Sequence, residues 1–365
     1  AGQGWGQAML QALTKGAFSV GYAIYKTRVG LSLHQKMCSD CAKQPPHSTS
    51  TRIPIMPGCH VTIVPILHDN YCFLIVDEES KTCLAVDPAD ADVALTAIKL
   101  EGLTLSGILT THTHWDHSGG NEAILQKFPD VKVYGSKEDS IPGLTDPIAE
   151  GDMFWFPPRA TSRDPSLIVQ VWEAPCHTRG HLLFLLHENP KLPSETPFET
   201  LKSAPLKTLA VFTGDTIFAG GTGKFFEGSA AEMSRILMRV SNLPSNVKVF
   251  CGHEYTMSNY KFAAALEPDN GLVMERIKNV KQLRHDRLPT LPSTIGEEIA
   301  TNPYIRVVIS KAVCAKFANL LQESGGAQKH EGGADSVAIL AELRRCRDEN
   351  SLKNKIEEMF DQPRK

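Results

Sequence analysis

The sequence predicts an α+β protein, with two β-sheets sandwiched between helices and a helical region toward the C-terminal end. Short apolar runs typical of strands recur up to about residue 255, with a few helical segments between them. From about residue 256 onward, apolar residues repeat at helical spacing. Metal-binding side chains follow several of the strand runs, so we expect a site where strands end.

The composition is that of an ordinary globular protein. The 365 residues suffice for two domains or one large domain, and 42% of them are hydrophobic and 22% charged. A net charge of −3, without a basic excess, argues against a nucleic-acid partner. The nine cysteines are odd in number and form no regular framework, which indicates a reduced, intracellular setting.

The strand predictions rest on apolar runs bounded by polar or turn-forming residues. They cover residues 61–67, 72–76, 83–86, 107–110, 131–134, 167–172, 209–212 and 247–250.

The helix predictions rest on apolar residues at helical spacing. They cover residues 92–101, 121–128, 259–266, 271–284, 310–322 and 336–347. Two proline-rich stretches, 157–165 and 189–205, are interpreted as surface insertions, and the glycine-rich stretch 325–333 as a connector.

The N-terminal part differs from the rest of the chain. No acidic residue precedes Asp40, whereas Lys15, Lys26, Arg28 and Lys36 are basic. Such a segment is a mitochondrial targeting remnant, an interfacial helix or a helix packed on the protein, so residues 1–40 are a possible membrane or protein contact. We expect a cytoplasmic or mitochondrial location, and membrane association through this tail is an alternative.

Three regions follow from these patterns. Residues 42–58 are rich in proline, serine and threonine and are interpreted as a linker. The predicted division is therefore a tail and linker over 1–57, a strand-rich domain over 58–255 and a helical substrate-binding domain over 256–365.

The strongest functional signal is Thr-His-Thr-His-Trp-Asp-His at residues 111–117. No core or surface position requires three imidazoles and a carboxylate so close together, and these ligands together suit zinc. The pair His112 and His114 and the pair Asp116 and His117 differ in reach, so we predict two ions side by side and not one four-coordinate ion. Further candidates are His177, Asp215 and His253, each of which follows a predicted strand.

The order of these motifs resembles the metallo-β-lactamase superfamily, and most closely its glyoxalase II branch, the hydroxyacylglutathione hydrolases. The motifs are H-x-H-x-D-H, C-H-T-x-G-H, T-G-D and G-H-E-Y, with supporting stretches such as Asp69-Asn70-Tyr71 and Ala85-Val86-Asp87-Pro88. The resemblance covers roughly residues 58–350. It implies a four-layer αββα sandwich followed by a helical C-terminal domain. The tail before residue 58 also resembles the N-terminal extension of a hydrolase-like relative.

The resemblance also implies the ligand set. One metal ion would be held by His112, His114 and His177, a second by Asp116, His117 and His253, and both by a bridging Asp215. His181 is not a ligand in the family, and we expect it to be hydrogen-bonded beside the site. Two divalent ions, zinc first and iron or manganese as alternatives, would activate water for attack on a thioester, with Asp116 and Asp215 as the catalytic carboxylates.

For the substrate, the resemblance implies S-(2-hydroxyacyl)glutathione, such as S-D-lactoylglutathione, cleaved to glutathione and a 2-hydroxy acid. The glutathione-binding positions fall on Lys224, Phe226, Tyr255, Arg344 and Arg347. Two of them depart from the family pattern, which has tyrosine at Phe226 and lysine at Arg347. The missing hydroxyl at Phe226 predicts weaker glutathione binding, by about 0.5–1.5 kcal/mol.

Two other hypotheses remain. A persulfide dioxygenase with one iron belongs to the same superfamily, but that branch lacks a long helical C-terminal region, and this chain keeps every second-metal ligand. A scaffold or regulator with weak hydrolase activity is the other, and the unusual tail and Phe226 motivate it. Metal stoichiometry distinguishes the first alternative, and removal of residues 1–57 is the test of the second.

Overall fold

Two β-sheets lie face to face, and helices cover both outer faces. The computed structural model describes residues 27–158, 166–190, 205–323 and 335–360. The strands are β1 (Thr51–Met56), β2 (Cys59–Ile66), β3 (Asn70–Asp77), β4 (Thr82–Val86), β5 (Thr104–Leu109), β6 (Lys132–Gly135), β7 (Asp146–Pro147), β8 (Met153–Phe156), β9 (Leu167–Glu173), β10 (Leu182–Glu188), β11 (Thr208–Gly214), β12 (Ile217–Phe218), β13 (Gly221–Thr222), β14 (Lys248–Cys251) and β15 (Ser293–Thr294).

The helices complete the outer layers. They are α1 (Arg28–Cys41), α2 (Ala91–Leu100), α3 (Trp115–Ser118), α4 (Asn121–Lys127), α5 (Ala230–Ser241), α6 (Thr256–Leu266), α7 (Gly271–His285), α8 (Ile295–Thr301), α9 (Pro303–Ile309), α10 (Lys311–Glu323), α11 (Ser336–Asp348) and α12 (Lys353–Phe360).

Within the described residues, the first sheet has the order β1-β2-β3-β4-β5-β6-β7 and the second the order β15-β14-β11-β10-β9-β8. Strands β4 to β7 pair in parallel, as do β11 and β14, while the other pairs are antiparallel. Parallel neighbours need crossover connections, and α2 supplies the one between β4 and β5.

The alternation of side chains along strands produces the layers. In β3, Phe73 and Ile75 face the second sheet, whereas Leu74 and Val76 face the outer layer that includes α2. The second sheet repeats this pattern, with Phe184 directed inward. Its outer face packs on α5, α9, α10 and α11. The predicted sandwich with a helical C-terminal region is therefore confirmed.

Several elements differ from the sequence predictions. Strand β1 lies inside the predicted linker over 42–58 and pairs with β2, so the linker prediction is wrong for residues 51–56. Strand β10 is not predicted, because it is buried on both faces and its apolar run does not alternate. The predictions also lack β7, β8, β15, α5, α8, α9 and α12.

Some predictions fall on residues outside the described ranges. Most of the two proline-rich insertions and all of the connector 325–333 lie there, as do residues 1–26 of the tail. Among the residues that the structure does describe, no helix combines the length and the apolar character that crossing a bilayer requires.

Candidate metal centre and substrate cavity

The candidate ligands lie where strands end, as the sequence predicts. His112 and His114 are in the loop after β5, and Asp116 and His117 are in the short helix α3 that continues it. The other three ligands come from the second sheet. His177 lies between β9 and β10, Asp215 directly follows β11, and His253 follows β14. The two sheets are joined at this edge by a bridge between Asn70 and His253.

The first ligand group consists of three histidines. His114 Nδ1 lies 3.0 Å from His112 Nε2 and 3.1 Å from His177 Nε2. All three side chains are buried, and their ligand atoms lie within 4.8 Å of one another. Three ring nitrogens therefore converge on one point, which is the arrangement that a tetrahedral metal site with an open position requires.

The second group consists of Asp116, His117 and His253, whose ligand atoms also lie within 4.8 Å of one another. Asp215 lies between the two groups. Its Oδ2 is 3.4 Å from His177 Nε2 in the first group and 3.4 Å from His253 Nε2 in the second. Its Oδ1 is 3.3 Å from His117 Nε2. One carboxylate thus reaches both groups, which is the position of a bridging ligand.

Hydrogen bonds outside the centre determine which ring nitrogens face inward. Nδ1 of His117 donates to Asp87 Oδ2 at 2.9 Å, and Nδ1 of His253 donates to Asp69 Oδ1 at 2.9 Å. Nδ1 of His177 donates to the carbonyl oxygen of Lys224 at 3.0 Å. Because these oxygens can only accept, each Nδ1 carries the proton. In the neutral ring, the Nε2 lone pair is then directed at the centre.

The pKa shifts of the candidate ligands differ between the two groups. Burial and the neighbouring His177 lower the pKa of His114 to about 3. Burial alone would lower the pKa of His253, but the carboxylates of Asp215, Asp69 and Asp116 together outweigh it and raise this pKa to about 10. The pKa of His117 is also raised, because Asp215 and Asp116 together outweigh its burial. The buried carboxylate of Asp215 and the partly exposed carboxylate of Asp116 therefore require positive charge nearby.

The residues fit a pair of divalent cations. His117 Nε2 and His253 Nε2 lie 3.3 Å apart, so two lone pairs face each other unless a cation or a proton separates them. Asp215 Oδ1 is buried and, while the ring of His117 is neutral, has no hydrogen-bond donor among the described residues. A buried carboxylate oxygen without a donor is costly unless a cation, or a proton on His117 Nε2 at 3.3 Å, neutralises it. The cluster is therefore a site for divalent metal ions.

Sequence reasoning missed the residues that support the ligands. Asp69 and Asp87 stand in the stretches that carry the resemblance, but no role was assigned to them. Asp139 had no sequence signal at all. It accepts from Thr113 N at 3.0 Å and from Gly180 N at 2.9 Å, and so connects the loop of His112 and His114 to the loop of His177.

His181 lies beside the centre, as expected. Within the described part of the chain, it does not belong to any group of candidate ligands. Its Nε2 accepts from the backbone N–H of Asp215 at 3.1 Å, and its ring stacks on that of His112 with 4.8 Å between centroids. It thereby holds the backbone of the bridging carboxylate. Close packing also explains Gly252, where a Cβ atom would lie 2.6 Å from His117 and 2.7 Å from Asp215.

A cavity of about 400 Å³ adjoins the centre. Lys224, Tyr255, Arg344 and Arg347, four of the predicted substrate residues, line it. Tyr255 connects it to the metal centre, because its ring stacks on His253 with 4.6 Å between centroids. The cavity therefore presents cationic groups and borders a candidate ligand through Tyr255.

The cations of the cavity are held in place by neighbours. Arg344 donates to the carbonyl oxygen of Thr222 and to Asp348 Oδ1, each at 2.8 Å. Arg347 donates to Ser258 Oγ at 2.6 Å. Asp348, which sequence analysis missed, also lies 3.9 Å from Lys224 Nζ and offsets part of the positive charge.

Phe226, the fifth predicted substrate residue, does not belong to the residues that line this cavity. Its ring instead faces the first ligand group, with centroid distances of 5.0 Å to His177 and 5.8 Å to His114. Lys224 Nζ lies 5.9 Å from the same ring. Phe226 thus lies close to the first ligand group and to Lys224.

Comparisons with known proteins agree with this geometry. A model of the metallo-β-lactamase superfamily matches residues 68–191, and a model of the hydroxyacylglutathione hydrolase C-terminus matches residues 254–350. The chain is 40% identical over 249 residues to a protein of Arabidopsis thaliana named cytoplasmic hydroxyacylglutathione hydrolase, covering 67% of this chain and 86% of that one. It is 38% identical over 245 residues to hydroxyacylglutathione hydrolase of Rippkaea orientalis, covering 67% and 87%.

Among solved structures, the chain is 22% identical to the crystal structure of ETHE1 from Myxococcus xanthus, with a TM-score of 0.45. The match covers 76% of this chain and 93% of that chain.

The sandwich and its paired ligand groups define a metallohydrolase. Identity of this extent to the curated relatives narrows the class further: the chain belongs to the hydroxyacylglutathione hydrolase family, the glyoxalase II branch of the metallo-β-lactamase superfamily. It is a thioester hydrolase by class.

Proposed function

We propose that this protein hydrolyses S-(2-hydroxyacyl)glutathione, such as S-D-lactoylglutathione, to glutathione and a 2-hydroxy acid. The observation that carries the proposal is the carboxylate of Asp215, which reaches both ligand groups beside a cavity lined by cationic side chains. The names of the two hydroxyacylglutathione hydrolase relatives support the same substrate class.

The ligand assignment is part of the proposal. One ion is assigned to His112, His114 and His177, the other to Asp116, His117 and His253, with Asp215 shared. Zinc is the first choice because histidine and carboxylate ligands suit it, and iron and manganese are the alternatives. When bound, such a pair of ions lowers the pKa of water toward neutrality and polarises a carbonyl group.

The residues of the chain orient the reactants. Asn70 Nδ2 donates to Asp116 Oδ2 at 3.3 Å and to the Asp116 carbonyl oxygen at 3.0 Å, so this carboxylate is held in place to accept a hydrogen bond from the attacking water. The water oxygen bonds to the thioester carbon and the carbon–sulfur bond breaks. The sulfur leaves with the electron pair of that bond. Of the two protons of the water, one ends on the departing thiolate and the other is released to solution as the product carboxylate forms. A thiolate leaves readily, so no strong general acid is needed.

Substrate selection falls to the cavity. Glutathione carries two carboxylates, and Lys224, Arg344 and Arg347 offer charge-assisted hydrogen bonds to them. Tyr255, stacked on His253, lies between these cations and the centre and is assigned to the part of the ligand next to the thioester. Phe226 is assigned to the same end of the ligand, where it offers no hydrogen bond.

The test is metal stoichiometry together with turnover of a panel of acylglutathione thioesters. We expect two metal ions per chain in the wild type. Asp215→Ala is expected to lose at least one of them and nearly all turnover, while Asp130→Ala at an exposed remote site is expected to match the wild type. A metal-replete wild type that leaves every acylglutathione thioester intact refutes the proposal. A single iron per chain favours the persulfide dioxygenase.

The cellular location and the role of the tail remain part of the proposal: cytoplasm or mitochondria, with a membrane or protein contact through residues 1–40. Deleting residues 1–57 is not a clean test of a scaffold role, because it also removes β1 and α1. Deleting residues 1–26 is the better experiment. If this variant keeps both its location and its partners, the tail has no such role.

A further inference from the structure

Helix α1 lies outside both segments that match the family models, which begin at residue 68. It is nevertheless part of the folded protein. Met37, Cys38 and Cys41 pack against the hydrophobic cluster on the outer face of the first sheet. The helix begins with a cap, since Thr27 Oγ1 accepts from Val29 N at 3.2 Å.

The buried face of α1 is unusual because it presents a histidine. Gly30 and His34 are its buried residues, and His34 is 3% exposed. Nε2 of His34 donates to the carbonyl oxygen of Ala89 at 2.9 Å. Burial lowers the pKa of His34, so the ring is neutral with a single N–H. Nδ1 is buried without a hydrogen-bond partner in the described part of the chain.

His34 also contacts the backbone that follows α3, the helix that carries Asp116 and His117. A Cβ atom at Gly119 would lie 2.3 Å from His34 Nε2, so the ring contacts the backbone directly after α3. The backbone at Gly120 also lies close to the backbone of residues 88–91. A Cβ atom at Gly120 would lie 2.0 Å from the carbonyl oxygen of Pro88. His34 therefore touches two backbone segments at the place where they meet.

Both segments lead directly to the metal centre. Ala89 follows Asp87 by two residues and donates its N–H to the Asp87 carbonyl oxygen at 2.9 Å. Asp87 Oδ2 in turn accepts from His117 Nδ1, and Oδ1 accepts from Thr111 N at 2.8 Å. Gly119 follows His117 by two residues. His34 thus binds the backbone of Ala89, two residues after Asp87, and the carboxylate of Asp87 orients the candidate ligand His117.

We infer that α1 supports the metal centre from behind, with His34 as a positioning residue that holds the Asp87 and His117 segments in register. The inference rests on the metal centre of the proposed function and concerns its second ligand group. Simple packing does not account for the residue type. An aliphatic side chain would fill this space without burying a polar ring, whereas the hydrogen bond to Ala89 requires a donor.

The experiment uses the full chain with His34→Ala, His34→Gln and, as a control on the exposed face of the same helix, Gln35→Ala. Zinc dissociation constants are measured by competition with a chromogenic chelator, and melting temperatures are measured with and without zinc. We expect His34→Ala to weaken the second zinc site by about tenfold, the lower end of what the loss of supporting residues costs. His34→Gln, which keeps a donor, is expected to recover most of the affinity. KM at saturating zinc should stay unchanged.

Two failures are distinguishable. If the wild type does not bind two zinc ions, the proposed function fails. If the wild type binds two, and His34→Ala binds them equally tightly while melting lower by the same amount with and without zinc, His34 only contributes to packing and this inference is wrong.

Discussion

Every histidine of the second group, and His177 of the first, has one ring nitrogen bound to an oxygen outside the centre. The oxygen acceptors differ in exposure: Asp87 is buried, whereas the side chain of Asp69 is 42% exposed. The buried acceptor is shared with the backbone and hydroxyl of Thr111. Ligand identity is therefore visible in the sequence motif, while ligand orientation depends on residues that the motif does not contain.

Phe226→Tyr is expected to tighten binding of a glutathione thioester. The ring lies beside His177 and Lys224, so we expect a hydroxyl on it to reach the ligand and add one hydrogen bond. A bond of this kind contributes about 0.5–1.5 kcal/mol, which lowers KM by about 2- to 12-fold with little change in kcat. Steady-state kinetics on S-D-lactoylglutathione checks this, with exposed and remote Phe128→Tyr as the control. An unchanged or higher KM would count against the assignment of Phe226 to the substrate site.

At the scale of elements, the loop between β13 and α5 links the two halves of the site, since it carries both Lys224 and Phe226. It ends in a capping box, in which Ser229 Oγ accepts from Glu232 N at 3.3 Å and Glu232 Oε2 accepts from Ser229 N at 2.8 Å. Arg179, in the loop of His177, donates to Glu232 Oε1 at 2.9 Å. The start of α5 therefore fixes two loops of the site.

Ser229→Ala is expected to lower the free energy of unfolding by about 1 kcal/mol, because an N-cap is lost and the N–H of Glu232 is left without its acceptor. Denaturant titration measures this change. Ser241→Ala at the other end of α5 is the matched control, since its hydroxyl donates only to a Met238 carbonyl oxygen that solvent can also satisfy. Equal stability losses in the two variants would mean that the cap does not anchor the helix.

For the whole molecule, the balance of charge at the sheet edge couples metal binding to pH. Asp116 and Asp215 keep their negative charge because the positive histidines lower the pKa of both, even though burial opposes this. Without metal, protons on His117 and His253 supply that positive charge. In the proposed metal-bound form, the ions would supply it, and the two histidines would act as neutral ligands.

The metal-free protein should therefore lose stability as the pH rises. The folded-state pKa of His253 is about 10, above its ordinary value of 6.5. A raised pKa means that the bound proton stabilises the fold fully below about pH 6.5, and that this contribution disappears as the pH passes about 10. Melting curves of chelated and zinc-loaded protein should diverge between these values, with the chelated form falling further. Parallel curves would contradict the charge balance described here.

The pH dependence also has a direct readout in solution. Loading the metal-free protein with zinc near pH 8 should release protons, because the ions displace those on His117 and His253. A pH-indicator dye in weak buffer measures the release, and it should diminish as the pH approaches 10. Zinc added to Asp215→Ala serves as the comparison, since the loss of that carboxylate lowers the demand for the protons.

The sequence by itself determined the ligand types, the sandwich and the family, because metal binding concentrates histidines locally and sheets and helices impose their own periods on apolar residues. Only the tertiary structure placed β1 in the sheet, Asp139 between two loops, Phe226 beside the histidines and His34 behind the centre. Each of these depends on contacts between residues far apart in the chain. Such distances follow from how whole layers pack, and no local pattern of residues encodes them.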